Sequence, residues 1–439
     1  MSNAVVSAFK NKQLRKKLLF TTLILIVVRF GSQLPIPEID SAQISAYLKS
    51  TLGDSFSLLN SFTGGSFMQM SVFALSVTPY ITSSIIMQLM TIVIPALEEM
   101  QKDGEDGRKR MAKITRYVTV VLAIIEGAGL AIGFANQGAL GTDYTTFTIV
   151  TMIIALTAGA VLVMWLGERI TESGIGNGIS IILLVNIVSG MPGDFTSLYN
   201  QFMKGKQIGP ALIAGCVIVG VVLAVVVFVI VLSDAERHIP VQYSKKMQGR
   251  KLVGGQQSKI PLKVNTAGVI PVIFAQSLMQ FPVVIATIAR KNNGDGVGSK
   301  ILKGLSQSNW CNPDEPIYSI GLVVYIILLI LFAYFYTSIT FNPLEIANNM
   351  KKAGGFIPGI RPGKPTSDYL SKISNHIIFI GAIGLTIVAI IPIFFNGIFG
   401  ASVSFGGTSI IIIVGVVIET LKQIESQMRV RNYKGFLND

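Results

Sequence analysis

Few residues in this chain have the types and spacing that catalysis or metal binding requires. The two histidines, His238 and His376, are isolated at the edges of apolar segments, and the two cysteines, Cys216 and Cys311, lie far apart in sequence. These positions do not give the ligand spacing of a metal site, and a disulfide between the cysteines is not expected. Paired acids and nucleophile motifs do not stand out either. We therefore predict that the chain is not an enzyme and holds no metal or cofactor.

The run Gly174-Ile-Gly-Asn-Gly178 has the glycine content of a phosphate-binding loop, but not its pattern. A preceding strand and a following Lys-Ser or Lys-Thr pair, which such a loop uses to hold phosphates, are both missing. Direct nucleotide binding is therefore not predicted. Together with the polar residues that follow Trp165, the run forms a short hinge between two long apolar segments. A hinge this tight predicts two membrane helices that lie side by side.

The elements around this hinge are those of a multi-pass membrane protein. The chain has 439 residues, of which 51% are hydrophobic and 13% are charged, and its mean hydropathy is +0.60. Soluble domains carry about 25% charged residues. The apolar runs approach the roughly 20 residues that span a bilayer, whereas a soluble helical protein needs runs of only about 12. The composition therefore favours an all-α membrane protein over a soluble one.

Ten apolar runs are candidate membrane spans. An odd number of spans in each half makes the two halves antiparallel, so five plus five predicts an inverted repeat of residues 1–192 and 193–425, followed by a tail, 426–439. Pro79 and Pro271, each near the start of its run, support the repeat, although proline is common in membrane helices. The runs are Leu18–Gln33, Phe73–Ile94, Arg116–Phe134, Phe147–Leu166, Ile179–Met191, Ile208–Leu232, Val269–Ile288, Ile317–Ile339, Ile373–Phe395 and Ile410–Leu421.

The basic residues are divided unevenly between the two sides that these spans define. With the N-terminus placed inside, 28 of the 36 lysines and arginines fall on the inner side, seven fall on outer loops, and Arg29 lies within the first span. The positive-inside rule then predicts that both termini are cytoplasmic. The same excess gives a formal net charge of +13 and makes anionic lipid headgroups natural neighbours.

The external segment from Asp54 to Met70 is too short and too polar to cross a membrane. Irregular backbone at membrane depth is found only where it is buried in protein or lines a water-filled cavity. The segment is broken at Gly64-Gly65. It therefore either folds back into a cavity as a plug or lies on the outer surface as an interfacial helix.

Ile81 and Ile85 of the second span are four residues apart and share one face of a helix. A ring of such side chains from several helices would form a narrow apolar constriction, and hydrophobic constrictions gate by dewetting. Ordinary packing against lipid or a neighbouring helix is the alternative explanation of an isolated isoleucine pair.

Two long inner loops are basic. The first, residues 234–265, contains the run from Tyr243 to Lys251, and the second, residues 342–372, contains Gly355-Phe-Ile-Pro-Gly-Ile-Arg-Pro-Gly-Lys-Pro365. The prolines and glycines between Gly354 and Pro365 exclude a helix there and make that stretch stiff. A stiff basic projection favours docking of an acidic partner surface, whereas a plain solvated loop would explain the charge but not the stiffness.

Four segments, Phe73–Leu89, Glu168–Ser180, Lys263–Pro271 and Phe356–Gly363, occur in this order along the chain. In amino-acid sequence and in order they resemble the SecY family, whose members are the central subunit of the Sec protein-conducting channel. The similarity extends over nearly the whole chain, through span number, loop lengths and the position of the termini. It implies ten helices around an hourglass pore that passes unfolded polypeptides across the bacterial plasma membrane, or sideways into it.

The resemblance also implies roles for particular side chains. The segment from Asp54 to Met70 would be the plug, and spans two and three would open against spans seven and eight as a lateral gate. The implied residues are Ile81, Ile85, Leu183, Ile187, Ile273 and Ile412 for the pore ring, Leu58, Phe62, Gly64, Gly65 and Phe67 for the plug, Lys246, Arg250, Lys251, Arg361 and Lys364 for docking, and Gln88, Glu126 and Gln276 for the gate.

The resemblance implies two kinds of partner. The SecA ATPase and the ribosome would supply the energy that this chain cannot supply itself. SecE-like and SecG-like small membrane subunits, signal peptides and nascent chains would bind the channel. A coupled secondary transporter is one alternative, but it would need several ionisable groups at the membrane midplane. A membrane-embedded assembly scaffold is another, and it would need neither a plug nor stiff basic loops.

Two positions depart from the family pattern. Ser76 stands where glycine is usual, and because serine is small we expect close helix packing to be kept. Glu126 stands in the third span, where an uncharged polar residue is expected. If Glu126 faces the gate, its ionisation would bias opening.

Overall fold

A computed structural model describes residues 11–47, 57–136, 140, 145–204, 208–243, 246–248, 251–253, 257–288, 297–305, 307, 310–311, 316–399 and 407–435. This part of the chain is mostly helical. Each of the ten predicted spans overlaps a helix, and most of the helices extend beyond the apolar run that predicted them, but the helix of the second span begins only at Thr78 and not at Phe73.

Eight helices lie in the described part of the first half. In chain order they are α1 Lys12–Gly31, α2 Ser41–Tyr47, α3 Ser57–Thr63, α4 Thr78–Val93, α5 Pro95–Lys102, α6 Gly104–Asn136, α7 Thr146–Ser173 and α8 Gly178–Phe202.

The second half alternates long helices with a small β-structure. In chain order its elements are α9 Ile208–Asp234, β1 Glu236–Tyr243, β2 Lys246–Gln248, β3 Lys251–Val253, β4 Gln257–Lys263, α10 Ile270–Ile288, α11 Val297–Leu305, a 3-10 turn Pro316–Ser319, α12 Ile320–Thr340, α13 Pro343–Lys352, β5 Gly355–Phe356, α14 Lys364–Phe399 and α15 Gly407–Gly435.

Within the described ranges, six helical segments are long and apolar enough to cross a membrane. They lie in α6, α7, α8, α9, α12 with α13, and α14. Helices α4 and α5 would add a seventh span that is bent by 108°. The bend falls at Ile94, whose backbone is extended, because the following Pro95 disfavours helical geometry in the residue before it.

Each half has its own apolar core, and a third cluster lies between the halves. Helix α6 packs against α4 and α7 in the first half, while α12 packs against α10 and α14 in the second. The halves meet where α6 contacts α10 and where α8 contacts α15. The shared cluster at this meeting place includes buried residues of α1, α7, α8 and α15.

The two basic loops are joined by a small sheet, which the sequence analysis did not predict. Strand β1 pairs antiparallel with β4, from Glu236 opposite Lys263 onwards, and pairs at its other edge with β5, where Gln242 lies opposite Phe356. A purely all-α prediction was therefore wrong here. The missed signal is the alternation of buried Ile239 and Val241 with exposed neighbours, which is the period of a half-buried strand.

A non-helical segment, residues 64–77, connects α3 to α4 and is buried between helices. The backbone N–H of Val72 donates to the carbonyl of Leu34 at 2.9 Å, and the N–H of Ile36 donates to the carbonyl of Met70 at 3.2 Å. On its other side the segment rests on α7, where Gly159 has no side chain. A Cβ at Gly159 would collide with the carbonyl oxygen of Val72.

We predict that Gly159→Ala destabilises the protein, because the added methyl must displace backbone and not a flexible side chain. Overpacking of this kind costs about 1–3 kcal/mol. Gly190→Ala is the matched control, since Gly190 is also helical and a Cβ there would meet nothing within 4 Å. The measurement is the midpoint of thermal aggregation in detergent. Equal midpoints for the two variants would contradict the contact between residues 64–77 and α7.

Candidate central constriction and plug segment

The Gly174–Gly178 hinge fixes where α8 begins. The backbone N–H of Gly178 donates to Thr171 Oγ1 at 2.9 Å, and that of Ile175 donates to Thr21 Oγ1 of α1 at 3.3 Å. Gly176 has a φ of +78°, a conformation that glycine adopts without strain. As the sequence predicted, α7 and α8 pack side by side. The hinge thereby sets which face of α8 points towards the other half.

The structure brings five of the six predicted ring residues into one apolar cluster between the halves. Leu183 and Ile187 of α8 and Ile412 of α15 are buried in it, and half-buried Ile81 of α4 and Ile273 of α10 pack against it. Ile85, one turn along α4 from Ile81, is half-buried and is not part of this cluster. The sixth assignment therefore has less structural support than the other five.

The side chains of this cluster have no groups that would bind a particular polypeptide sequence specifically. Its five predicted ring members are branched aliphatic side chains from four helices, so they offer neither hydrogen bonds nor charge. Branched aliphatic groups around a narrow passage exclude water and ions by dewetting. The arrangement can form a seal, and it can contact chains of varied sequence without holding any of them.

The predicted plug segment lies beside this cluster. Helix α3 packs against α8, and the half-buried side chain of Phe62 packs against the cluster itself. Phe67 is buried in the neighbouring core of the first half. Gly64 and Gly65 both have positive φ, so the chain turns sharply as α3 ends. Residues 54–56 and the side chain of Leu58 lie outside the described part.

Asn186 joins α8 to the plug segment and to the start of α4. Its Nδ2 donates to the carbonyl of Phe62 at 3.1 Å and to Ser76 Oγ at 3.0 Å. Only 1% of Asn186 is exposed, so both bonds are shielded from water. The sequence analysis did not single out Asn186, although a primary amide within an apolar run was a signal that could have found it.

Arg29 of α1 reaches the same place. Its Nη1 donates to the carbonyl of Gly64 at 3.3 Å and to Asn186 Oδ1 at 3.4 Å. The sequence analysis picked out Arg29 as a charge inside an apolar span. The structure shows that Arg29 is half-buried and that its acceptors are a backbone carbonyl and an amide oxygen.

Ser76 has a φ of +46°, in the left-handed region that favours glycine. This explains why a glycine suits the position and why the serine there is a conformational departure as well as a difference in size. The side chain is 3% exposed, and its hydroxyl accepts the bond from Asn186. We call Asn186, Arg29 and Ser76 the polar clasp.

The predicted gate residues lie on three different helices. Gln88 of α4 is exposed, Glu126 of α6 is half-buried, and Gln276 of α10 is buried. Gln276 Nε2 donates to Thr408 Oγ1 of α15 at 3.0 Å. Hydrogen bonds within the described ranges do not join the three to one another. Their role at a gate stays a prediction.

The described docking residues lie on the β2–β3 hairpin or follow β5 in the sequence. Arg361 and Lys364 are exposed, and the carbonyl of Arg361 accepts a 2.8 Å bond from Thr366 Oγ1. Helix α14 begins at Lys364, so the predicted helix-free run ends slightly earlier than expected. Lys246 and Lys251 lie on the β2–β3 hairpin, with side chains outside the described part, and Arg250 lies wholly outside it.

A model of the SecY family matches residues 71–421 of the chain. The chain belongs to the SecY family. Protein translocase subunit SecY of Streptomyces galbus is 45% identical over 450 residues, which cover 100% of both sequences. Protein translocase subunit SecY of Corynebacterium glutamicum is 41% identical over 451 residues, covering 99% of this chain and 100% of the relative.

The fold is similar to that of solved channels at lower sequence identity. A structure described as Sec61 in the canine ribosome-channel complex from the endoplasmic reticulum has a TM-score of 0.64 at 20% identity, covering 94% of this chain and 92% of that one. The family assignment confirms the resemblance stated from the sequence. It also confirms the predictions of a protein translocation channel and of a chain that is not an enzyme.

We predict that Ile187→Ala raises ion leak through the reconstituted protein several-fold, because removing three carbons from a buried member of the predicted ring would widen the apolar constriction. Ile170→Ala is the matched control. Ile170 is the same residue type and is buried in the same cluster, but it lies on α7 and outside the predicted ring. The measurement is halide flux from liposomes. A leak that rises equally in both variants would mean that Ile187 acts through packing alone.

Proposed function

We propose that this chain forms a protein-conducting channel that moves unfolded secretory polypeptides across the bacterial plasma membrane and releases membrane proteins sideways into lipid. In this proposal ten helices cross the membrane as two inverted halves around an hourglass pore. The six clear apolar spans, the bent α4–α5 pair and the helical character of the remaining predicted runs support ten crossings.

A single observation carries the proposal. Branched aliphatic residues from α4, α8, α10 and α15 meet in one cluster where the two halves come together, and the end of α3 is packed beside it. An apolar ring with a short helix against it is suited to a passage that must seal when empty. A secondary transporter would instead need ion ligands at this depth.

The lateral opening would lie along the seam between the α4–α6 pair and the α10–α12 pair. Each pair packs tightly within itself, whereas the contact between the pairs runs through α6 and α10. Separation along this seam would leave both packed pairs intact. Gln88, Glu126 and Gln276 are the residues that we assign to it.

The energy for transport would come from a partner on the inner side. Pairing of β5 with β1 joins the two basic loops into one folded unit, whose core includes Ile239, Val241 and Ile357. Such a unit can present Arg361 and Lys364 at a fixed place to an acidic surface of a SecA-type ATPase or to a ribosome. A relative in fold is described within a ribosome-channel complex, which supports the second of these partners.

The same proposal gives the orientation of the chain in the membrane and the small subunits that would bind it. Both termini would be cytoplasmic, because the basic residues concentrate on that side and anionic lipid headgroups would attract them. Small SecE-like and SecG-like subunits would cover apolar faces that the chain leaves exposed, among them Leu19, Leu23 and Ile26 of α1.

The proposal is tested by reconstituting the chain with a SecE-like subunit in liposomes, then adding SecA and ATP. We expect a signal-bearing precursor to become protected from protease only when ATP is present. If the complex is intact and SecA is bound but the precursor stays accessible, motor-driven transport is excluded. Ribosome binding would then be the next measurement.

We predict that Arg361→Glu reduces this protection by at least about tenfold, since reversing one exposed charge at a docking surface replaces attraction with repulsion. Lys204→Glu is the control, because Lys204 is also exposed and basic but lies on the predicted outer side. Both variants should insert and bind the small subunit equally. Unchanged transport by Arg361→Glu would remove this residue from the docking surface.

A further inference from the structure

The end of α3 is held by side chains from two different helices of the first half. The carbonyls of Phe62 and Gly64 belong to the last turn and exit of a short helix, where backbone acceptors have no partner within the helix. Asn186 of α8 supplies the donor for the first carbonyl, and Arg29 of α1 supplies the donor for the second. Release of α3 would break both bonds together.

Asn186 is fully engaged while α3 is in place. Its two amide hydrogens go to Phe62 and Ser76, and its oxygen accepts from Arg29. Because Asn186 is 1% exposed, water cannot replace these partners until the surroundings open. Unpaired buried polar groups are costly, so the bonds form and break as a set.

Ser76 is the member of the clasp whose backbone conformation is strained. A non-glycine residue at a φ of +46° is strained, and such residues persist where the surrounding structure holds them in place. What holds Ser76 is its burial and the bond that its hydroxyl accepts from Asn186. A glycine would relieve the strain but would leave one amide hydrogen of Asn186 without this acceptor.

We propose that Ser76 is a positioning residue that sets how readily the channel opens: its hydroxyl orients Asn186, which together with Arg29 holds the carbonyl end of α3 against the constriction. This inference rests on the proposed function. It goes beyond that function by assigning closure to a polar clasp, and it places the control point in the connection to α4 and outside both the apolar ring and the plug segment.

The test separates the hydroxyl from the backbone conformation. Ser76→Ala removes the hydroxyl and keeps a side chain at positive φ, while Ser76→Gly removes the hydroxyl and relieves the strain. The loss of a buried hydrogen bond predicts that halide leak from liposomes rises about tenfold in both variants. Ser83→Ala is the control, because Ser83 is a fully buried serine of α4 whose hydroxyl donates to the carbonyl of Thr115 at 2.8 Å, away from the clasp.

A second comparison shows whether the hydroxyl acts through Asn186 and α3. In a chain that carries Asn186→Leu, or that lacks Ser57–Gln69, adding Ser76→Ala should change the leak by less than about twofold, because interacting residues are not additive. If Ser76→Ala multiplies the leak in either background, the hydroxyl acts elsewhere and the inference is overturned. The inference is also overturned if either Ser76 variant leaks no more than Ser83→Ala.

The same liposomes separate this inference from the function on which it rests. ATP-dependent protection of a precursor in the unsubstituted channel, with no difference in leak among the variants, would leave the proposed function standing and remove the clasp. A channel that gives no protection with SecA bound would overturn motor-driven transport. The leak comparison would then still decide whether Ser76 holds α3 in place.

Discussion

The structure depends on satisfying the backbone hydrogen bonds of a non-helical segment that is buried among apolar helices. Helices satisfy their own backbone groups, but residues 64–77 do not form one. Turns within the segment supply many of these bonds, and other parts of the chain supply further partners, including Leu34 on one side and Arg29 of the polar clasp on the other. These contacts fix the positions of α1, α7 and α8 relative to α3. The apolar cluster lies where these helices meet.

In the proposed function, the apolar cluster and the polar clasp would close the channel together. The cluster would exclude water without binding any substrate strongly, so it would tolerate substrates of varied sequence. The clasp is directional, since each of its bonds has a defined donor and acceptor, and it therefore gives the plug segment one preferred position. Neither element supplies energy. In the proposed function the energy comes from a partner, which would dock on the folded unit of β1, β4, β5 and α13.

Much of the helical framework could be predicted from the sequence, because long apolar runs have few other stable structures in a membrane. The choice of Leu183, Ile187, Ile273 and Ile412 came from family resemblance, and their meeting in one cluster is a fact of the fold. Asn186 was missed because a single amide in an apolar run has no periodic signal. The β1–β4–β5 sheet was missed because only two residues, Ile239 and Val241, show the alternation of a strand, and they lie in a loop that is otherwise rich in charged residues.

The sequence by itself determined the membrane class, the approximate spans, the uneven charge and the tight α7–α8 hinge, since these depend on composition and on neighbouring residues. The tertiary structure decided which side chains from distant spans meet. Arg29, Ser76 and Asn186 are separated by as many as 157 positions, yet they share hydrogen bonds at the end of α3. It also decided that two basic loops form one sheet. Contacts between distant segments depend on how helices are arranged around one another, and local sequence patterns do not encode that arrangement.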